Sequence, residues 1–210
     1  MKIAIIGAGN VGGTLGKGWA KAGHDIFFGV RDTKDPKLKE LLAAAGPRAK
    51  AAGVKEAAAS ADVIALTVPW SAAQEALKSI GNLRGKILLD CTNPLKPDLS
   101  GLTHGFTTSG GEQVAAWAPG ARVVKIFNTT GAGNMANPAY PGGPSVMLYC
   151  GDDAAAKKIA GQLASDLGFD PYDVGALQEA RLLEPFALTW IHLAVFQKLG
   201  TNFAFHLMKR

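Results

Sequence analysis

Short runs of β-branched and other apolar residues alternate with longer amphipathic stretches along the first 90 residues, and the alternation resumes after residue 120. Such short runs are typical of buried strands, whereas the stretches between them have the period of helices. This alternation predicts the doubly wound α/β class, a mostly parallel sheet with helices on both faces. The predicted strands are Lys2–Ile6, Asp25–Val30, a weaker one at 48–52, Val63–Val68, Ile87–Cys91, Arg122–Phe127, Ser145–Cys150 and Phe169–Val174.

Three polar signals predict where helices begin. In each, a side-chain oxygen can accept a hydrogen bond from a free backbone N–H, and an acid, an amide or a proline follows soon after. The signals are Ser71 with Gln74, Ser109 with Glu112, and Asp32 or Thr33 with Pro36. The last of them predicts a helix that runs to about Ala45.

A long helix is predicted near the carboxyl end, from about Ala176 to Leu199. Large apolar residues recur on it at steps of three and four, and they are Leu183, Phe186, Trp190, Leu193 and Phe196. Two interpretations of this apolar side stay open: it packs on the sheet, or part of it forms an interface with a second copy of the chain. Because we find no linker, repeat or change of composition, we expect residues 1–210 to form a single domain with 176–210 as a terminal helical segment.

A glycine-rich bend follows the first predicted strand directly and opens into a helix. Its residues are Gly7, Ala8, Gly9, Asn10, Val11 and Gly12. In this setting the first glycine permits a tight turn, the second lets a diphosphate approach the backbone, and the third lets helix and strand pack closely. Free N–H groups and the helix dipole, about half a positive charge, then face the phosphates. The pattern predicts a Rossmann-type dinucleotide site, and the alternative is a glycine-rich turn without a ligand.

The end of the second predicted strand bears on which dinucleotide binds. NAD-specific sites place an acid at this point, where it holds the ribose 2′-OH. Val30 stands there instead, and Arg31 follows with a planar guanidinium that suits a 2′-phosphate. With Lys34 or Lys37 as a second cation, this indicates NADP(H). The alternative is that Asp32 holds the ribose, which would turn the preference toward NAD.

Three further segments should meet at the carboxyl edge of a parallel sheet, where such folds bind ligands. They are Val68-Pro69-Trp70, Thr92-Asn93-Pro94, and Asn128-Thr129-Thr130-Gly131 with Met135. These residues offer flat or apolar walls and neutral hydrogen-bonding groups. Hydride transfer tolerates such a site because the cofactor supplies the chemistry, whereas hydrolysis needs an activated nucleophile or a metal. Trp70 is either a nicotinamide wall or a core aromatic, and His104 is a candidate proton donor.

Composition narrows the range of partners. The chain has 22 Lys and Arg against 17 Asp and Glu, a formal charge of +5, and its basic residues form no run beyond pairs. We therefore expect no nucleic-acid partner and interpret the excess as a field for a small anionic co-substrate. No His or Cys spacing predicts a metal site, and no apolar run is long enough for a membrane span. Cys91 and Cys150 lie far apart in the sequence, which suits a reducing, cytoplasmic compartment.

Taken together, these motifs resemble the F420-dependent NADP reductase family, and they are similar to the cytosolic domain of six-transmembrane ferric reductases. The resemblance rests on the order along the chain of GAGNVG, Arg31, VPW at 68–70, Asn93-Pro94, Asn128-Thr129, CGDD at 150–153, DVGAL at 173–177 and ARLLE at 180–184. Three places depart from the family pattern. Val30 stands where the family often has Ser or Thr, and Ala8 stands where a Thr can occur. Asn128-Thr-Thr-Gly131 stands where archaeal members have a His-Thr-Ile-Pro-like segment.

The resemblance implies a layout for the site. NADP(H) would bind at Gly7–Gly12, with Arg31 at the 2′-phosphate and Pro69-Trp70 near the nicotinamide, and coenzyme F420 would stack near residues Asn128 to Asn137. It also implies a homodimer. The expected activity is hydride transfer between NADPH and a flat acceptor, with the deazaflavin F420 as the first candidate. The alternatives are an NADPH-dependent flavin or ferric reductase and a non-catalytic NADPH sensor.

Overall fold

An eight-stranded sheet forms the centre of the computed structural model, which describes all 210 residues. Its strands are β1 Lys2–Ile6, β2 Asp25–Val30, β3 Ala49–Gly53, β4 Val63–Leu66, β5 Ile87–Asp90, β6 Arg122–Lys125, β9 Val146–Gly151 and β10 Asp170–Asp173. Their bounds agree with the predicted ones to within two residues. Two further short strands, β7 Ala139–Tyr140 and β8 Gly143–Pro144, pair as a small hairpin that the sequence pattern does not predict.

The strand order is β10-β9-β6-β5-β4-β1-β2-β3. All neighbours in this sheet are parallel except β6 and β9. The predicted doubly wound, mostly parallel α/β fold is therefore confirmed. From β1 the chain builds outward to β2 and β3, and it then returns to β4 on the other side of β1. This reversal opens a crevice at the carboxyl ends of β1 and β4.

Helices cover both faces of the sheet. They are α1 Asn10–Lys21, α2 Pro36–Ala45, α3 Val54–Ala59, α4 Trp70–Ile80, α5 Gly110–Trp117, α6 Ala132–Ala136, α7 Ala154–Ser165 and α8 Ala180–Ile191. Alternate residues of β1 supply two separate hydrophobic cores, because successive side chains of a strand point to opposite faces. Ile3 and Ile5 join Trp19 of α1 in one core, while Ala4 and Ile6 join the second.

One of the three predicted helix starts is confirmed. Ser109 caps α5, since its Oγ accepts a hydrogen bond from the N–H of Glu112 at 3.1 Å. The predicted start at Ser71 is wrong. Pro69, in extended conformation, is the last residue before α4, so the helix begins at Trp70 and Ser71 lies inside its first turn.

The predicted start of α2 at Asp32 or Thr33 is also wrong. The helix begins at Pro36 and is capped by Asp35, whose carboxylate accepts a hydrogen bond from the N–H of Lys37 at 2.9 Å. Asp32 forms the same kind of bond with the N–H of Lys34 at 2.8 Å, which closes a turn before the helix. Two Asp residues three positions apart offer the same cap, and the proline next to Asp35 favours the later one.

A helical segment near the carboxyl end is confirmed, but its bounds differ from the predicted 176–199. A 3₁₀ turn at Leu177–Glu179 precedes α8, and a π-helical turn at His192–Phe196 follows it. Lys198 and Gly200 then adopt left-handed backbone conformations, with φ of 57° and 76°, and these end the helix. Along the apolar side Leu183 and Trp190 are buried and Phe196 is 45% exposed. The apolar side therefore packs on the protein at its beginning and faces outward at its end.

A buried ion network fastens α8 to the sheet. The Nζ of Lys125 in β6 lies 2.9 Å from Asp90 Oδ2 of β5 and 2.8 Å from Glu184 Oε1 of α8, and all three side chains are 0% exposed. The Glu184 carboxylate also accepts hydrogen bonds from the N–H groups of Gly110 and Gly111 at the start of α5. Burial by itself lowers the pKa of Lys125, but the two carboxylates outweigh it and hold that pKa above its usual 10.5.

We predict that Lys125→Met destabilises the protein by about 3–5 kcal/mol at neutral pH, because it leaves two buried carboxylates without their cation. Since the folded-state pKa of Lys125 is raised, the stabilisation is complete below pH 10.5 and is lost as the pH rises through the folded value. The difference in unfolding free energy between wild type and variant should therefore narrow only in strongly alkaline solution. Urea denaturation over a pH series measures it.

The matched control is Lys157→Met, which removes a partly exposed ion pair with Asp173. We expect it to cost at most about 1 kcal/mol. Equal losses for the two variants would contradict the role assigned to the buried network.

Candidate functional site

A cleft of about 510 Å³ lies at the carboxyl ends of β1, β2 and β4, where the strand order reverses. The glycine-rich bend forms its floor, the tip of β2 forms one side, and the residues after β4 form the other. The lining includes Gly7, Ala8, Gly9, Val30, Val68 and Pro69. The structure therefore brings the predicted bend, the end of the second strand and the Val68-Pro69 segment together in one place.

The bend itself is held by close contacts within the chain. Gly7 has φ +105°, and a Cβ at this position would lie 2.9 Å from Val68 Cγ1, so both conformation and space require glycine. The hydroxyl of Thr67 donates to the carbonyl oxygens of Ile6 and Gly7 at 3.0 and 2.9 Å. Gly12 is equally constrained, because a Cβ there would lie 2.0 Å from the Gly7 carbonyl oxygen.

Gly9 differs from its two neighbouring glycines. Its φ of −77° is open to any residue, and no atom lies within 4 Å of the place where its Cβ would stand. It is the N-cap of α1, and no side chain caps that helix, so the first N–H groups of α1 have no side-chain partner there. Neither folding nor packing requires a glycine at this position, and the space above it stays open to a ligand.

The other residues of the bend are divided between solvent and core. Asn10 is exposed, while Val11 and Ala8 pack against the core beneath the bend. These two apolar side chains anchor the loop and leave its backbone facing the cleft.

The tip of β2 brings both candidate ribose-binding residues to the cleft. Arg31 and Asp32 both line it, and Arg31 is exposed and forms no ion pair within the chain. One oxygen of Asp32 is already engaged by the N–H of Lys34. The side chain of Lys34 does not line the cleft, whereas Lys37 does. Arg31 is thus the cation best placed for an anionic group at this end.

Trp70 lies outside the cleft, although its neighbour Pro69 lines it. Its ring stacks on Trp117 at 5.2 Å between centroids, and His104 packs edge-on against it at 5.3 Å. Trp70, the first residue of α4, is therefore half-buried in an aromatic group with Trp117, the last residue of α5. His104 belongs to the same group, and the Thr103 hydroxyl lies 3.1 Å from its Nδ1.

The segments that follow β5 and β6 are joined by hydrogen bonds. Asn93 Nδ2 donates to the Asn128 carbonyl at 2.8 Å, and Asn128 Nδ2 donates to Asn93 Oδ1 at 3.0 Å. Asn128 Nδ2 also lies 3.3 Å from the carbonyl of Leu183 in α8. Pro94 is buried against the start of α5, next to Gly110. The structure therefore joins the two predicted strand-end segments, and their amides serve to hold them together.

The segment after Asn128 turns partly inward. Thr129 is buried and its hydroxyl has no hydrogen-bond partner, and Met135 lies in the core. Thr130 is bonded to Asn134, and Gly131 faces Trp190. Asn137 is exposed, and its side-chain Oδ1 accepts a hydrogen bond from the N–H of Ala139 at 3.3 Å. Of the three segments expected to meet at the cleft, only Val68-Pro69 lines it, and no residue of 92–94 or 128–137 does.

The sequence does not predict the contacts of three residues that shape the site. Thr67 has a local signal, since it is a hydroxyl residue at the end of an apolar strand run. Glu184 and Asn134 each form a hydrogen bond with a residue more than 60 positions away, and no local pattern indicates such contacts.

Neither cysteine of the chain lines the cleft. Both cysteines are free and buried, and burial raises the pKa of the Cys91 thiol and raises that of Cys150 to about 12. Among the 210 residues described, no three His, Cys, Asp or Glu side chains converge as metal ligands. None of the helices has the length and apolarity needed to cross a membrane.

Comparison with known proteins places these features in a family. Residues 2–94 match the family described as NADP oxidoreductase, coenzyme F420-dependent. An F420-dependent NADP reductase of Methanothermobacter thermautotrophicus is 31% identical over 93% of this chain and 90% of its own length. The metalloreductase STEAP3 of Rattus norvegicus is 29% identical over 89% of this chain but only 36% of its own length.

A crystal structure from Arthrobacter sp. FB24, assigned to the F420-dependent NADP reductases, superposes with a TM-score of 0.88 and 34% identity over the full length of both chains. The glycine-rich bend, the strand order and the full-length identity agree with one another. The chain therefore belongs to the coenzyme F420-dependent NADP oxidoreductase family.

Proposed function

We propose that this NADP-dependent oxidoreductase transfers a hydride between NADPH and the deazaflavin coenzyme F420. The observation that carries the proposal is the open space above Gly9, in a cleft that runs from the free end of α1 to the unpaired guanidinium of Arg31. A dinucleotide with an additional phosphate matches that arrangement of N–H groups and charge. The F420 part is supported by relatives that carry this activity in their names.

Each part of the chain has a distinct task in this proposal. The N–H groups at the start of α1 bind the diphosphate, and Arg31 binds the 2′-phosphate with two parallel hydrogen bonds. Val68 and Pro69 form an apolar wall that excludes water from the nicotinamide end. When bound, the nicotinamide supplies the hydride chemistry, so the protein needs to align donor and acceptor rather than activate a nucleophile.

The acceptor end is proposed at the segment from Asn128 to Asn137, next to the joined ends of β5 and β6. The formal charge of +5 favours the approach of an acidic co-substrate. His104, held against Trp70, is kept as the candidate proton donor.

We also propose that the chain works as one NADP-binding domain that pairs with a second copy. Support comes from apolar side chains exposed on and after α8, at Leu182, Val195, Phe196 and Leu199. Sedimentation velocity measures the mass in solution, and a monomer at all concentrations would contradict the pairing.

Gly9→Ala tests the open space above the bend. Because nothing lies within 4 Å of the new methyl group, we expect the unfolding free energy to change by at most about 1 kcal/mol. NADPH affinity should fall by at least about tenfold, since the methyl group occupies the place of the diphosphate.

Gly12→Ala is the matched comparison: its methyl group would meet the Gly7 carbonyl, so it should lose about 2–3 kcal/mol of stability. Calorimetric titration and urea denaturation measure both, and unchanged NADPH binding by Gly9→Ala would refute the assignment.

Arg31→Ala tests the cofactor preference. A charge-assisted hydrogen bond contributes about 1.5–3 kcal/mol, so NADPH affinity should fall roughly 10- to 150-fold while NADH affinity stays nearly unchanged. Lys39→Ala, an exposed cation of α2 outside the cleft, should change neither. Fluorescence titration with both nucleotides measures the affinities. Equal losses for NADPH and NADH would show that Arg31 does not bind the 2′-phosphate, and a loss of NADH binding in Asp32→Asn would point to the NAD alternative.

The acceptor is tested by mixing the protein with NADPH and F420 in a stopped-flow instrument and following deazaflavin absorbance. We expect reduction of F420 that depends on the concentration of the protein.

The similarity to STEAP3 favours a second candidate, an NADPH-dependent flavin or ferric reductase. Turnover with FMN or ferric citrate, and none with F420 at any pH, would replace the proposed function by this one.

A further inference from the structure

The last ten residues return to the sheet at a place where two strands separate. β6 and β9 are antiparallel neighbours only at Val124 with Gly151 and Lys125 with Cys150. β6 ends at the second of these pairs, and the carbonyl of Phe205 accepts a hydrogen bond from the N–H of Val146, the first residue of β9, at 2.9 Å. The carboxyl-terminal tail thus contacts the backbone of β9 beyond the end of β6.

Two side chains hold the tail by a single carbonyl oxygen, that of Phe203. Asn134 Nδ2 donates to it at 2.7 Å, and Trp190 Nε1 donates to it at 3.0 Å. The Phe203 ring also stacks on Trp190, with centroids 5.2 Å apart. His206 continues the attachment, with Nδ1 at 2.9 Å from the carbonyl of Pro144.

The amide of Asn134 is fully engaged. Besides the bond to Phe203, its Nδ2 donates to Thr130 Oγ1 at 2.8 Å, and its Oδ1 accepts from the Tyr140 hydroxyl at 2.7 Å. Asn134 is 3% exposed, so its amide group relies on these three partners for its hydrogen bonds. A carboxamide is required here, because the site needs two donors on one side and an acceptor on the other.

Trp190 adds a second constraint on the same loop. A Cβ on Gly131 would lie 2.6 Å from Trp190 Cη2, so the loop after β6 runs directly across the indole that stacks on Phe203. The tail, α8 and the 130–140 segment therefore form one packed unit, and its residues are separate from those that line the nucleotide cleft.

We propose that Asn134 is a positioning residue for the hydride acceptor: by fastening the tail to Thr130 and Tyr140, it fixes the loop against which the acceptor lies. This inference rests on the proposed function, which puts the acceptor at that loop. Asn134 touches neither reactant in this assignment, so it acts on acceptor binding and alignment and leaves nucleotide binding alone.

The test compares Asn134→Asp with wild type. The substitution keeps the shape of the side chain but turns its two donors into an acceptor that faces the Phe203 carbonyl. We expect the KM for F420 to rise by at least about tenfold, the equivalent of one or two lost hydrogen bonds, while the Kd for NADPH stays within about twofold. Hydrogen exchange should become faster at the Val146 amide. Asn82→Asp, an exposed amide at the amino-end side of β5, makes the same chemical change and should leave all three quantities unaltered.

A second variant ends the chain at Asn202 and so removes Phe203. If Asn134 works through the tail, the truncation alone should reproduce the rise in KM, and adding Asn134→Asp to it should add little. Fully additive effects, or an equal loss of NADPH affinity, would overturn the inference. Tyr140→Phe, which removes one bond and keeps the ring, serves if Asn134→Asp does not fold, and it should raise the KM for F420 in the same direction.

The design separates this inference from the proposed function. If wild type does not reduce F420, the proposed function fails, and the same comparison is made with whichever of FMN or ferric citrate it does reduce. If wild type reduces its acceptor and Asn134→Asp frees the tail without raising the acceptor KM, the positioning role fails on its own. If hydrogen exchange at the Val146 amide is unchanged in Asn134→Asp, the positioning role of Asn134 is overturned whatever the acceptor is.

Discussion

The second half of the chain depends on one buried cation. Lys125 forms ion pairs with Asp90 of the neighbouring strand and with Glu184 of a helix that lies about 60 residues further along the chain. A buried charge is costly unless it is paired, so α8 has essentially one position in which both carboxylates are satisfied. That position puts the Leu183 carbonyl within reach of Asn128 and the Trp190 ring beside Gly131 and Phe203. Asp90 also accepts hydrogen bonds from Thr92, which leads the chain directly into Asn93. The ends of β5 and β6 are therefore set by the same interaction that sets the helix.

Much of the fold could be predicted because its signals are local. The apolar runs indicate the eight strands of the main sheet, and the glycine-rich bend indicates where the first crossover begins. What could not be predicted depends on contacts between distant segments. The antiparallel direction of β9 follows from how the chain returns after α6 and the β7–β8 hairpin, and nothing in the run Val146–Gly151 encodes it. The cap at Asp35 rather than Asp32 shows a similar limit, since both residues have the same local chemistry and the adjacent proline is a small difference.

The candidate site divides along the same line. Gly7, Gly9, Gly12 and the tip of β2 follow one another closely in sequence, so their arrangement could be inferred before the structure was known. Trp70 could not be assigned in this way, because its stacking on Trp117 depends on the packing of two helices. The contacts of Asn134 with Phe203 span 69 residues, and a buried asparagine in a short helix has no signature of its own. The glycine-rich bend is formed by residues close in sequence, whereas the proposed acceptor end is assembled from residues of the whole second half of the chain.

The exposure of Arg31 has a consequence for the environment in which the proposed preference holds. At an ionic strength of 0.1 M the Debye length is about 10 Å, so dissolved salt screens an exposed guanidinium far more than it affects hydrogen bonds from backbone N–H groups in a cleft. Discrimination between the phosphorylated and unphosphorylated nucleotides therefore narrows as salinity rises, while the hold on the part common to both changes less. At high ionic strength, the relative abundance of the two nucleotides would decide more of the occupancy than the protein does.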